Sequence, residues 1–185
     1  NGRPGLNGHQ YSDTSDFTSG TIEGKRIRII GAGNIASRYA SFVSFLGADV
    51  AAWDPFATEP CFHRSKSRQI HHIRDLIEDA EIFVPMLPLT DSTRGLVTKD
   101  LIPNKALVVV VTRMQICDFT RLYERVKNNE LALAADVFDI EPLPLDHVLV
   151  GRENVIHTPH IAGRTKQANE ALAMALLNQF TRIKR

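Results

Sequence analysis

Apolar positions along the chain alternate between short continuous runs and longer stretches of helical spacing. Ile27-Arg28-Ile29-Ile30 is a run of strand length, followed at once by Gly31-Ala32-Gly33-Asn34-Ile35-Ala36. From Asn34 to Gly47 the period changes: Ile35, Tyr39, Phe42, Val43, Phe45 and Leu46 predict a helix with these residues on its apolar face, and Gly47 is its C-terminal stop. Val50 to Trp53 is strand-like again and ends on Asp54.

The alternation continues to the C-terminus. Phe56 to Ser67 is polar, basic and Pro-containing, so it predicts a loop; Gln69 to His71 predicts a short edge strand and Ile73 to Ala80 a short helix. Glu81 to Met86 predicts a strand, ended by Pro85 and the turn Leu87-Pro88-Leu89-Thr90. Asp91 to Val97 predicts the start of a helix capped by Thr90 or Asp91. Ala106 to Val111 is an unbroken apolar run, the mark of a strand buried on both faces of a parallel sheet. Asp118 is placed to cap a helix running to Lys127, and Leu131 to Ala135 and Asn154 to His157 are further strands. Lys166 to Phe180 is helical by spacing, with Leu172, Leu176 and Phe180 on one stripe and Ala168 and Ala175 beside it.

This order predicts an α/β fold. The expected architecture is a doubly wound, Rossmann-like parallel sheet of six strands and a short seventh near Gln69, with helices on both faces. Residues 1–20, rich in Gly, Ser, Thr, Asp and Asn, predict a polar arm ahead of a folded domain at residues 21–185.

Composition narrows the function classes. A formal net charge of +1 gives no general attraction to nucleic acid or to an anionic membrane, so neither is expected as a partner. The longest apolar run, Ala106 to Val111, is strand-sized, and the N-terminus lacks a signal peptide's apolar core. Cys61 and Cys117 form neither a CxxC pair nor a disulfide framework, which predicts a cytoplasmic protein. Cys61, His63, His71 and His72 fit no common zinc spacing, so no metal is expected. The basic cluster Arg64 to Arg68 reads as a solvated loop, and Cys117 as a buried or bystander thiol.

The candidate chemistry lies at the ends of the predicted strands. Gly31 supplies the tight turn leaving the first strand, Gly33 lets a diphosphate approach the backbone, and Ala36 permits close packing of helix on strand. The unpaired N–H groups at the helix start then face an anion. Asp54, ending the second strand, is placed to accept both hydroxyls of an adenosine ribose and to repel a 2′-phosphate, which predicts NAD over NADP. Arg113, Asp136, Glu141 and His160 follow later strands on the same edge. A guanidinium can grip a carboxylate, and an imidazole can take the proton of a neighbouring hydroxyl while hydride passes to a nicotinamide. A glutamate on its other nitrogen would fix the tautomer and favour the charged ring.

These motifs, together with several others, resemble the cofactor domain of the D-2-hydroxyacid dehydrogenase family. The likeness covers Gly24 to about Phe180. It is carried by the glycine turn, Trp53-Asp54-Pro55, Leu87-Pro88-Leu89-Thr90 with Thr93-Arg94-Gly95-Leu96, Arg113 to Asp118, Asp136-Val137-Phe138 with Glu141-Pro142-Leu143-Pro144, and Thr158-Pro159-His160-Ile161-Ala162-Gly163. The resemblance implies NAD as cofactor and interconversion of a D-2-hydroxy acid and a 2-oxo acid. It assigns Arg113 to the substrate carboxylate, His160 to acid-base catalysis, Glu141 to its partner and Asp136 to the nicotinamide carboxamide. Asn34 and Ile35 would meet the diphosphate, and Leu87, Pro88, Val111, Thr112, Ala162 and Gly163 would line the cofactor site.

The chain departs from the family pattern in places. Val110 stands where Asn is usual, and Met114-Gln115 replaces Gly-Gly after the arginine, which predicts an altered pocket. Arg164 reads as a solvated helix-start residue or, alternatively, as a reader of a second anionic group. The family builds its substrate lobe mainly from sequence preceding the cofactor domain. Residues 1–20 are thus expected to be the arm or a remnant of that lobe, and the chain alone to bind NAD but turn over poorly. A homodimer is expected at full length. An NADH-sensing corepressor without turnover and a naturally shortened half remain the rival readings.

Overall fold

The computed structural model describes residues 20–180, so the expected polar arm lies outside the described residues except for Gly20. Seven parallel strands form one sheet: β1 (Arg26–Ile30), β2 (Asp49–Trp53), β3 (Arg68–Gln69), β4 (Ile82–Pro85), β5 (Leu107–Val110), β6 (Ala132–Ala135) and β7 (Val155–His157). Their order is β3-β2-β1-β4-β5-β6-β7, with the short strand near Gln69 at one edge. The helices are α1 (Asn34–Phe45), α2 (Glu59–Arg64), α3 (Ile73–Ile77), α4 (Phe119–Lys127) and α5 (Lys166–Phe180).

Side chains alternate across the sheet and divide the core in two. On one face Ile27, Ile29, Val50, Ala52 and Val84 meet Ala36, Ala40 and Val43 of α1 and Phe62 of α2. On the other, Ile30, Phe83, Val108, Val110 and Leu133 meet Leu76 of α3 and Leu122 and Val126 of α4. The expected doubly wound arrangement is present. Asp118 caps α4, its Oδ1 accepting from Arg121 N–H at 3.2 Å.

Three local expectations are corrected. The buried row of α1 is Ala36, Ala40 and Val43, whereas Ile35, Phe42, Phe45 and Leu46 are exposed. Small side chains let the helix lie close on the sheet, and a row spaced by four and three residues faces inward whatever its bulk. The predicted loop from Phe56 to Ser67 contains α2, and the basic cluster after it alternates. Ser65 and Ser67 are buried and share a hydrogen bond of 2.8 Å, while Arg64, Lys66 and Arg68 point outward. Asp91 to Val97 forms turns instead of a helix, because Gly95 N–H and Val97 N–H donate to the carbonyls of Gln115 and Ile116. The helix expected over Lys166 to Phe180 is present as α5; its stripe of Leu172, Leu176 and Phe180 is exposed, and the helix buries no residue.

One buried charge interrupts the core. Arg28, at the middle of β1, is 1% exposed. Its guanidinium meets Asp79 at 2.7 Å and Asp49 at 2.9 Å. Burial works against its charge, but the hydrogen bonds to Asp79 and Asp49 outweigh that penalty and leave its pKa raised. With Lys25–Glu81 at 2.9 Å, this network ties the amino ends of β1, β2 and β4 together. The carboxyl ends are left for chemistry.

Candidate active site

Strand order reverses between β1 and β4, and their carboxyl ends part to form a cleft of about 510 Å3. Gly31 makes the turn out of β1 with φ +107°, and its N–H donates to Trp53 O at 2.8 Å. A Cβ at Gly31 would lie 2.7 Å from Met86 O, so only glycine lets β4 come this close. Gly33 differs: nothing lies within 4 Å of where its Cβ would be. It precedes α1 with no side-chain cap, and no acid occupies the first turn. The free N–H groups and positive helix end therefore open onto the cleft, a cradle that fits a diphosphate.

Gly33, Asn34 and Ile35 form one wall of the cleft; Leu87, Pro88, Val111, Thr112 and Arg113 form the other. Met86 also lines it, a residue the sequence reading did not single out although it directly follows β4. Arg113 Nη1 donates to Thr112 O at 2.7 Å, folding the guanidinium back onto its own backbone. Met114 does not crowd this pocket. It starts a turn of 3₁₀ helix and is wholly buried in the core, as is Val110, whereas Gln115 is half-buried.

Asp54 is engaged within the protein. Its Oδ2 accepts from Ala32 N–H at 2.8 Å, and its Oδ1 from Phe56 N–H at 2.9 Å and Ala57 N–H at 3.2 Å. A carboxylate offers about four acceptor positions, so one remains for a ribose hydroxyl. Asp54 thus shapes the glycine turn from the end of β2.

The second half of the site is built around Asp136, 5% exposed after β6. It accepts from Thr158 Oγ1 at 2.5 Å, Ile161 N–H at 2.9 Å and Ala162 N–H at 2.9 Å. Burial disfavours its charge, but these three bonds together hold its pKa below the usual carboxylate range. They also fix the turn carrying His160, whose φ of +53° places it in the left-handed region. Thr158, not singled out from the sequence, is legible only through this bond.

His160 Nδ1 lies 2.7 Å from Glu141 Oε2, and Glu141 Oε1 accepts from Phe138 N–H at 2.9 Å. The bond to His160, then that from Phe138 and the nearby charges of His160 and Arg113, lower the Glu141 pKa. Gly163 joins His160 and Glu141 in the wall of a second cleft of about 520 Å3. The structure therefore groups many of the predicted residues around two clefts, while Gly31, Asp54, Asp136 and Ala162 line neither and instead hold the turns through their hydrogen bonds. Cys117 is buried and its thiol pushed up to about 12, chiefly by burial. Among the described residues no three His, Cys, Asp or Glu side chains are arranged to hold a metal ion.

Residues 3–162 match the family described as D-isomer specific 2-hydroxyacid dehydrogenase, NAD binding domain. D-3-phosphoglycerate dehydrogenase of Bacillus subtilis is 34% identical over 82% of this chain and 29% of its own length. Glyoxylate reductase of Aeropyrum pernix is 31% identical over 83% of this chain and 47% of its length. Among solved structures, a D-lactate dehydrogenase from Treponema pallidum superposes with a TM-score of 0.78 at 22% identity, covering 91% of this chain and 55% of that one. That likeness bears on the fold alone. The chain spans less than half the length of both curated relatives. With the match covering most of its residues, this chain belongs to the D-isomer specific 2-hydroxyacid dehydrogenase family, as its NAD binding domain.

Proposed function

We propose that the chain is the cofactor half of an NAD-dependent enzyme that interconverts a D-2-hydroxy acid and a 2-oxo acid. The observation that carries this reading is the 2.7 Å contact between His160 and Glu141, set at the cofactor edge of the sheet. Bound NAD supplies the hydride acceptor. Arg113 swings from Thr112 O to hold the substrate carboxylate, and His160 Nε2 takes the hydroxyl proton and returns it in reduction. Glu141 keeps Nδ1 protonated and the ring turned toward the cleft. Gly31 shapes the diphosphate turn, and Gly33, Asn34 and Ile35 contact the diphosphate. Asp54 uses its remaining acceptor position for the ribose. Leu87, Pro88, Val111 and Thr112 flank the rings, and the Asp136–Ala162–Gly163 corner orients the carboxamide.

The reading extends to the whole protein. A cytoplasmic homodimer fits the two unpaired cysteines and the exposed row Ile35, Phe42, Phe45 and Leu46 on α1, an apolar face suited to burial against protein. No nucleic-acid or membrane partner is included; the net charge of +1 supports the first omission. No helix among the described residues is long and apolar enough to cross a membrane. The test is twofold: titration of the chain with NADH and NADPH, and assay of the full-length protein for NADH oxidation by 2-oxo acids. Tighter NADH binding with saturable turnover is expected. Binding without turnover across a panel of 2-oxo acids would overturn the enzymatic reading.

A further inference from the structure

The turn that carries His160 also carries a second cation. Arg164 N–H donates to Ile161 O at 2.9 Å, and Ile161 N–H in turn is bound by Asp136. The backbone of Arg164 is therefore fixed relative to His160. Its side chain shares the wall of the second cleft with His160, Glu141 and Gly163.

Nothing in that wall neutralises it. Among the described residues Glu141 is the one acid lining the cleft; it is paired with His160 and makes no ion pair with Arg164. Among the described residues no carboxylate lies within ion-pair distance of Arg164, whereas nearby Lys166 is paired with Glu170 at 3.8 Å. A guanidinium held beside a reaction cleft without a carboxylate partner is an anion receptor with a fixed base. Arg113, in the wall of the first cleft, already serves the carboxylate next to the reacting carbon in the reading above.

Resting on that reading, we infer that Arg164 selects substrates carrying a second anionic group, a phosphate, sulfonate or carboxylate, on the carbon chain beyond the reacting centre. It acts by binding. A substrate with an uncharged tail leaves it solvated and gains nothing from it.

The test compares pyruvate with 3-phosphonooxypyruvate, 3-sulfopyruvate and oxaloacetate in the full-length protein, in wild type, Arg164→Gln and Arg164→Lys. Arg164 is exposed, so both variants should fold. Wild type should prefer at least one doubly charged acid, and the arms show which anion. Arg164→Gln should raise KM for that acid roughly ten- to hundred-fold, the worth of a charged hydrogen-bonded pair. Its kcat, and both constants for pyruvate, should stay unchanged, and Arg164→Lys should restore part of the loss. Equal effects on pyruvate and the charged acids, or no wild-type preference, would overturn the inference. Calorimetry on NADH-saturated protein separates the two proposals. Selective binding of a doubly charged acid, lost in Arg164→Gln, supports the inference even without turnover, in which case the dehydrogenase reading falls alone. Binding of all these acids alike, or of none, overturns it.

Discussion

Glu141 and His160 stand 19 residues apart and meet at 2.7 Å, one following β6 and the other β7. Each is exposed by more than a third, so the pair faces a cleft and is not a core contact. His160→Asn in the full-length protein should lower kcat by roughly 10²- to 10⁴-fold, the usual worth of a positioned acid-base group. NADH affinity should be unchanged. Glu141→Gln should give a smaller loss. Steady-state kinetics across pH, with NADH titration in parallel, checks both.

The two glycines of the turn should fail differently. Gly31→Ala places a Cβ 2.7 Å from Met86 O at a φ of +107°, so it should lower the melting temperature as well as NADH binding. Gly33→Ala has φ −71° and meets nothing within 4 Å, so it should melt as wild type. NADH affinity should nevertheless fall at least tenfold if the diphosphate sits over Gly33, a loss of about 1.4 kcal/mol. Thermal unfolding and calorimetry on the same samples distinguish the cases.

Asp54 should combine both effects. Its oxygens hold Ala32, Phe56 and Ala57 N–H, so Asp54→Ala should loosen the turn and weaken binding of both nucleotides, NADH more than NADPH. The preference for NADH should also shrink, because the charge opposing a 2′-phosphate is gone. A variant that binds both nucleotides as wild type does, with selectivity intact, would remove Asp54 from the proposed site.

Acid should loosen the His160 turn. Asp136 and Glu141 both have lowered pKa values in the folded chain, so each binds a proton less readily than when unfolded. Their stabilisation is fully present above the ordinary values of 3.8 and 4.5 and is lost as pH falls through the lowered folded values. Asp79 and Glu81 share the direction through their bonds to Arg28 and Lys25. Melting temperature should hold near neutrality and fall below about pH 4. Asp136→Asn should flatten that fall and lower stability at pH 7, measured by thermal unfolding from pH 7 to 2.5.

The Arg28 guanidinium meets its carboxylates at the amino ends of the strands and should matter to stability alone. Removing one partner of a buried ion pair costs about 3–5 kcal/mol. Asp49 and Asp79 are 50% and 49% exposed and can return to water. Arg28→Ala should therefore cost nearer about 2 kcal/mol, with Arg28→Met closer to neutral. Denaturant unfolding measures the loss, and NADH affinity should stay at the wild-type value.

The strands, their order along the chain and the glycine turn were legible in the sequence, because they rest on local periodicity and on spacing between neighbouring elements. Arg113, Glu141 and His160 were expected near one another because each follows a strand at the edge where Gly31 lies. What tertiary structure decided was which of several locally acceptable arrangements survives packing. Ile35, Phe42, Phe45 and Leu46 satisfy a helical period, yet α1 lies against β1 through Ala36, Ala40 and Val43 because small residues permit the closer approach. Asp91 to Val97 has helix signals but spends its backbone N–H groups on Gln115 and Ile116, partners about twenty residues away. Met114-Gln115 was expected to alter the pocket beside Arg113, and Met114 is buried in the core. Asp54 and Asp136 were read as cofactor ligands, and folding first gives each three donors within the protein. A hydrogen bond or a packed face belongs to groups distant in sequence, and one residue's chemistry does not say which partner the fold will bring to it.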